Sequence, residues 1–139
     1  MQNAMARRIA DAATTLARHY RGAVTVSVVD DGGHLVLLHR MDGATIGSIR
    51  AATDKARTAV HYARPTSALE RGGWVFGTIQ DLCAVAGGVP VFLDGRMIGG
   101  VGVSGLTPAQ DEEVAKGASN LEILKSALSR ADADPVSET

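Results

Sequence analysis

His34 and Arg40 stand six residues apart in H34-L-V-L-L-H-R40. In an extended strand, alternate side chains share a face, so this spacing sends both the same way, with Val36 and Leu38 between them. An imidazole and a guanidinium on one face can bind a carboxylate and move a proton. A turn histidine bonded to loop carbonyls beside a surface arginine would give the same spacing. Lys55 and Tyr62 lie along one edge of an apolar helical stripe, and Thr53, Arg57 and Arg64 along the other. From such an edge a long side chain reaches toward a pocket while its stem packs; solvated charges would look alike. Asp111 and Glu112 open the last helix, where the dipole stabilises a carboxylate with or without catalysis.

The elements that must carry these groups follow from period and punctuation. Met5, Ile9, Ala12, Ala13, Leu16 and Tyr20 recur at helical spacing, and Gly22 ends that helix. Val24 to Val28 alternates as a half-buried strand, Asp30-Asp31-Gly32-Gly33 turns the chain, and His34 to Met41 returns, placing a hairpin at Asp31-Gly32. From Ile46 to about Ala63 the period is helical again, with Ile49, Ala52, Ala56, Ala59, Val60 and Ala63 on one face. Pro65 stops it, since the residue before proline disfavours the α region. Residues 66 to 88 are irregular, with a short helix near Ser67 to Arg71. Val89 to Leu93, the Asp94-Gly95 turn and Met97 to Ser104 form a second hairpin. Thr107, Pro108 and Gln110 then make a capping box with a proline start. The buried face of that helix is Val114, Ala118, Leu121, Leu124 and Leu128. Hairpins flanked by helices imply an α+β domain with an antiparallel sheet. One domain covers residues 1–130, and the polar stretch 131–139 is expected to be a disordered tail.

Composition bounds the function. The 139 residues carry a net charge of -1, with 45% hydrophobic and 4% aromatic residues, so no basic footprint marks a nucleic acid or an anionic membrane. No apolar run approaches the ~18 residues of a membrane span, and the amphipathic start is unlike a signal peptide. The expected location is cytoplasmic. The single cysteine, Cys83, cannot form an intrachain disulfide and reads as a buried, inert thiol. The four histidines at 19, 34, 39 and 61 have no i, i+4 pair and no C-x-x-C partner, so no metal site is assigned. G100-V-G-V-S-G105 matches the dinucleotide fingerprint G-x-G-x-x-G. That fingerprint must join a strand to a helix in a βαβ unit, with an acidic residue ~20 positions on. Here the glycines fall inside a returning strand. They flatten one sheet face so that a helix, a subunit or a flat ligand can come close.

D30-D-G-G-H-L35, R40-M-D42, K55-A-R-T-A59, G87-G-V-P-V91, D94-G95 and I98-G-G-V-G-V-S-G-L-T-P-A-Q-D111 occur in this order across most of the chain. Together they resemble the GlcG/HbpS family, which includes the C-terminal domain of PduO-type proteins. The resemblance implies a profilin-like α-β-α domain with one five-stranded antiparallel sheet, assembled into homo-oligomers, and it raises haem as a ligand. Haem needs an axial ligand and an apolar slot. His19, His39 and His61 are the candidates, and spacing selects none. Trp74 and Phe76 lie in the segment that departs from the family pattern and would wall a ligand pocket. Two functions are then open. One is a small-molecule-binding homo-oligomer, with haem or another flat ligand. The other is a cofactor-free enzyme acting on a small carboxylate-bearing catabolic intermediate, by hydration, isomerisation, deamination or dehalogenation. In the enzyme, Arg40 or Arg57 grips the carboxylate while His34, Lys55 or Asp111 moves the proton. The expected pocket joins the His34/Arg40 strand, the Lys55/Arg57 helix and the start of the last helix.

Overall fold

The computed structural model describes residues 1–72 and 79–120. Helix α1 (Asn3–His19) leads into strands β1 (Thr25–Asp30) and β2 (Leu35–Arg40). Helices α2 (Gly47–Tyr62) and α3 (Thr66–Glu70) follow, then β3 (Gly88–Leu93), β4 (Arg96–Ser104) and α4 (Pro108–Ala118). The strands form one antiparallel sheet in the order β2-β1-β4-β3.

The sheet divides two unlike packing jobs between its faces. On one face Val26, Val28, Val89, Val91, Val101 and Val103 meet Ile9, Ala13 and Ala17 of α1 and Val114 and Ala118 of α4. Each fully buried aliphatic side chain contributes about 1.5–3 kcal/mol, so most of the hydrophobic stabilisation lies on this face. The deepest positions of α1 are Ala6, Ile9, Ala10, Ala13, Thr14 and Ala17. The expected stripe is therefore rotated, and Tyr20 at its end is 41% exposed. Small alanines let α1 lie close, whereas the larger Met5 and Leu16 pack from its flanks.

Helix α2 covers the opposite face, with Thr66 of α3 beside it at Gly88. A Cβ at Gly100 would stand 2.7 Å from the Ala56 carbonyl oxygen. At Gly102 it would collide with the Ala52 carbonyl oxygen and at Gly88 with that of Lys55. The glycines of the apparent nucleotide fingerprint therefore admit a helix backbone. Small polar residues complete the contact: Thr25 Oγ1 donates to Ser48 Oγ at 2.7 Å, and Ser48 Oγ donates to the Thr45 carbonyl at 2.6 Å. The result is helices on both faces of one antiparallel sheet.

Several expectations need correction. Four strands are present among the described residues, where five were expected. The two hairpins account for all four, and residues 79–87 run irregularly instead of adding to the β3 edge. The first turn is wider than a two-residue Asp31-Gly32 turn: Gly33 takes the positive φ of 82°, and Asp30 Oδ1 accepts from the backbone N–H of Gly32 and His34, each at 2.9 Å. His34 consequently precedes the strand. The pairing also slips between Val28 and Val29, which partner Leu37 and Leu35 respectively. That bulge breaks the alternation that would have put His34 and Arg40 on one face. At the second hairpin Asp94 (φ 53°) and Gly95 (φ 79°) form the expected tight turn. Thr107 and Gln110 close the expected capping box on α4, with Pro108 at its start. Leu121, Leu124, Leu128 and the tail 131–139 lie outside the described residues.

Close approach of α2 yields a direct test. Gly102→Ala forces backbone apart on both sides, so unfolding in urea should show a loss of at least the about 1–3 kcal/mol typical of overpacking. Gly47, where an added Cβ meets nothing within 4 Å, is the control. Gly47→Ala should be neutral or stabilising by about 0.4–1 kcal/mol. A Gly102→Ala protein as stable as the parent would refute the packing described.

Candidate functional site

Lys55 and Asp111, 56 residues apart in sequence, form a buried ion pair. Lys55 Nζ donates to Asp111 Oδ2 at 3.1 Å and to the Val103 carbonyl at 3.0 Å. Their side chains are 4% and 3% exposed. The other carboxylate oxygen, Asp111 Oδ1, accepts from the Leu106 N–H at 2.9 Å. Gly87, at φ 132°, closes the remaining side; a Cβ there would stand 2.7 Å from Lys55 Nζ and 2.6 Å from the Val103 oxygen. Burial raises the Asp111 carboxyl above its ordinary range. The Lys55 ammonium and the N–H groups of Leu106 and Gly105 pull the other way. Lys55 is thus not an edge residue, as its spacing suggested. It sits one turn from Ala52 and Ala59 on the buried face, and its charge had disguised the position.

Around this pair, residues 79–88 are held by side chains of α2 and α3. Cys83 N–H donates to Thr58 Oγ1 at 3.0 Å, and Ala86 N–H to Glu70 Oε2 at 2.7 Å. Thr66 Oγ1 donates to the Val85 carbonyl at 2.7 Å and accepts from Gly88 N–H at 2.9 Å. Ser67 bonds Glu112, whose carboxylate also faces Lys116. Burial pushes the Cys83 thiol up, away from the reactive thiolate. These threonines and Glu70 went unnoticed in the sequence, because no spacing rule links them to a loop without regular structure.

The other site candidates lie apart from the pair. His34 is 82% exposed at the first hairpin turn, its Nδ1 3.3 Å from Asp30 Oδ1. The backbone N–H of His34 holds Asp30 below the usual carboxylate range. Asp30 is level with Gly99 of β4, whereas Lys55 reaches Val103, four residues along that strand. At ~3.3 Å per residue, His34 and Lys55 occupy opposite ends of the sheet. Arg40 turns its Nε and Nη2 onto the Ala44 carbonyl at 3.1 and 2.9 Å. Arg57 is exposed on α2. Trp74 and Phe76 lie outside the described residues.

Two adjoining grooves instead follow the seam between α1 and β2. One, ≈ 280 Å³, is lined by Thr14, Arg18, His39, Arg40, Met41 and Asp42. The second, ≈ 250 Å³, is lined by Arg7, Ala10, Asp11, Leu37, Leu38 and His39. His39 belongs to both. Of the three histidines considered as haem ligands, it alone lines either groove. His19 is exposed at the end of α1, and exposed His61 lies against Gly33.

The buried pair ties α2 to β4 and α4, so its loss is expected to show as instability. Lys55→Met or Asp111→Leu alone strands one buried charge and should cost about 3–5 kcal/mol in urea unfolding, while the double variant should recover most of it. Single variants that unfold like the parent would exclude this tie.

Among the described residues no helix is long and apolar enough to cross a membrane. A family model described as "Haem degrading protein HbpS-like" matches residues 1–120. Protein GlcG of Escherichia coli K12 is 42% identical over 104 residues, spanning 72% of this chain and 78% of that protein. The crystal structure of HbpS superposes with a TM-score of 0.81 at 32% identity, covering 87% of this chain and 89% of the other. The crystal structure of a PduOC:heme complex gives 0.78 at 29% identity, covering 85% and 91%. A shared domain of this extent and identity places the chain in the HbpS-like family.

Proposed function

We propose that this protein is a homo-oligomeric small-molecule-binding protein whose ligand is haem, held in the seam between α1 and β2. The observation that carries the reading is His39 at the junction of the two grooves. Around it the seam offers an axial ligand and apolar surface, with cationic groups at its border. An accessible imidazole can bind iron, and Leu37, Leu38 and Met41 offer apolar surface to a flat ring. Arg7, Arg18 and Arg40 surround the seam with guanidinium groups suited to carboxylates such as the propionates. Bound haem would supply a redox-active iron. The protein's own part is to ligate through His39, anchor the propionates and limit access of water. A relative of the same fold solved with haem supports this choice of ligand.

The enzyme reading asks His34, Lys55 and Asp111 to converge with Arg40 and Arg57 on one substrate. Lys55 and Asp111 do meet, but each is already satisfied and shielded, and the other three groups stand elsewhere. Binding without turnover therefore has the better support.

Titration with hemin should produce a Soret band that saturates at a fixed ratio to protein. His39→Ala should weaken binding at least tenfold or shift the band, a loss of about 1.4 kcal/mol or more. His19→Ala and His61→Ala should match the parent. If no protein-dependent band develops, haem is the wrong ligand. If binding survives His39→Ala unchanged, the seam is the wrong place.

A further inference from the structure

Val24 and Met41 meet where the β1–β2 ladder runs out, and their two backbones do not exchange the usual pair of bonds. Met41 N–H donates to the Val24 carbonyl at 3.0 Å. In an antiparallel pair of this kind the return bond would run from Val24 N–H to the Met41 carbonyl. That carbonyl already accepts from Ala44 N–H at 3.1 Å, in the turn where Gly43 holds a φ of 87°. Val24 is 0% exposed, so its N–H has no water to turn to. It donates to Met41 Sδ instead, at 3.4 Å. A thioether is a weak acceptor, but a buried N–H without any partner is costlier still.

This bond fixes which side of the sulfur is open. Of its two lone pairs, one is directed at Val24 N–H. Met41 is half-buried and lines the ≈ 280 Å³ groove together with His39, so a small solute reaches the sulfur from that side. We infer that Met41 is a site of reversible oxidation by hydrogen peroxide or an alkyl hydroperoxide, taking oxygen on the groove-facing lone pair alone. That lone pair attacks the peroxide's terminal oxygen, and an S–O bond forms as the O–O bond breaks. The sulfur loses two electrons and the peroxide gains them. The departing oxygen takes up the proton of the attacked one and leaves as water or alcohol. The sulfoxide oxygen then stands in the groove beside His39, where the thioether had offered apolar surface. A flat apolar ring laid over it would strip its water without replacing the hydrogen bond, so oxidation weakens ligand binding. The site and its stereochemistry stand on the Val24 contact, whereas the effect on affinity rests on the haem reading above.

The test treats the full chain, free of hemin, with hydrogen peroxide and digests it for mass spectrometry. The Met41 peptide should gain one oxygen. Of the two classes of methionine sulfoxide reductase, each specific for one epimer, a single class should return it to the parent mass. Met41 left intact in a protein oxidised elsewhere, or an even mixture of epimers, would overturn the site. Hemin titration then compares each protein before and after peroxide. The parent should bind about fivefold or more weakly after treatment. Met97→Leu, which packs with Ala56 and Val60 on the other face of the sheet, should show the same drop. Met41→Leu should show none, whatever its starting affinity. A parent unaffected by peroxide, or a drop that persists in Met41→Leu, would overturn the effect on affinity. No hemin binding by the untreated parent would overturn the haem reading together with that effect, and the masses alone would then decide the oxidation site. If Met41→Leu fails to fold with Val24 N–H stranded, reductase treatment of the oxidised parent replaces it. Affinity should return as the Met41 oxygen is removed, and removal without recovery would overturn the effect.

Discussion

Helix α2 lies so near the sheet that three strand positions, Gly88, Gly100 and Gly102, have no room for a Cβ. Close packing in protein interiors tolerates little excess volume, so this contact constrains the choice of residue on both partners. It explains the alanines at 52, 56 and 59 and the small hydroxyl residues Thr25 and Ser48. It also delivers Lys55 to the Val103 carbonyl at the end of β4, a reach that a more distant helix would lengthen.

From that point the Lys55–Asp111 pair extends the constraint to the opposite face. Asp111 is on α4, which packs against α1 over the valine-rich side of the sheet. A single buried charge pair thus connects the helix layers through the strand end between them. Desolvation works against the pair, as the raised Asp111 carboxyl shows. Its hydrogen bonds to Val103 and Leu106 offset part of that cost and fix the geometry. Charges that suggest catalysis in the sequence can serve cohesion instead.

With α2 and α4 committed to packing, the open chemistry of the described residues lies along α1 and β2. Arg7, Arg18, His39 and Arg40 border the two grooves there, and β2 is an edge strand. The family's likeness to a haem-bound relative gives this seam a ligand to be tested against.

Local signals were legible in the sequence wherever a short-range rule governs. The Thr107 capping box, the Asp94-Gly95 turn and the antiparallel hairpins depend on neighbours a few residues away, and the structure contains them all. The glycine pattern of β4 identified a flat face, but not its occupant; that depended on a helix arriving from residues 47–62. Tertiary structure alone decided the rest. Whether Lys55 is buried depends on Asp111, 56 residues away, and no periodicity encodes that meeting. His34 and Arg40 shared a face on paper until a bulge, set by pairing with β1, broke the alternation. His39 looked like one histidine among four until α1 folded alongside it, because a groove exists only between elements that have already packed.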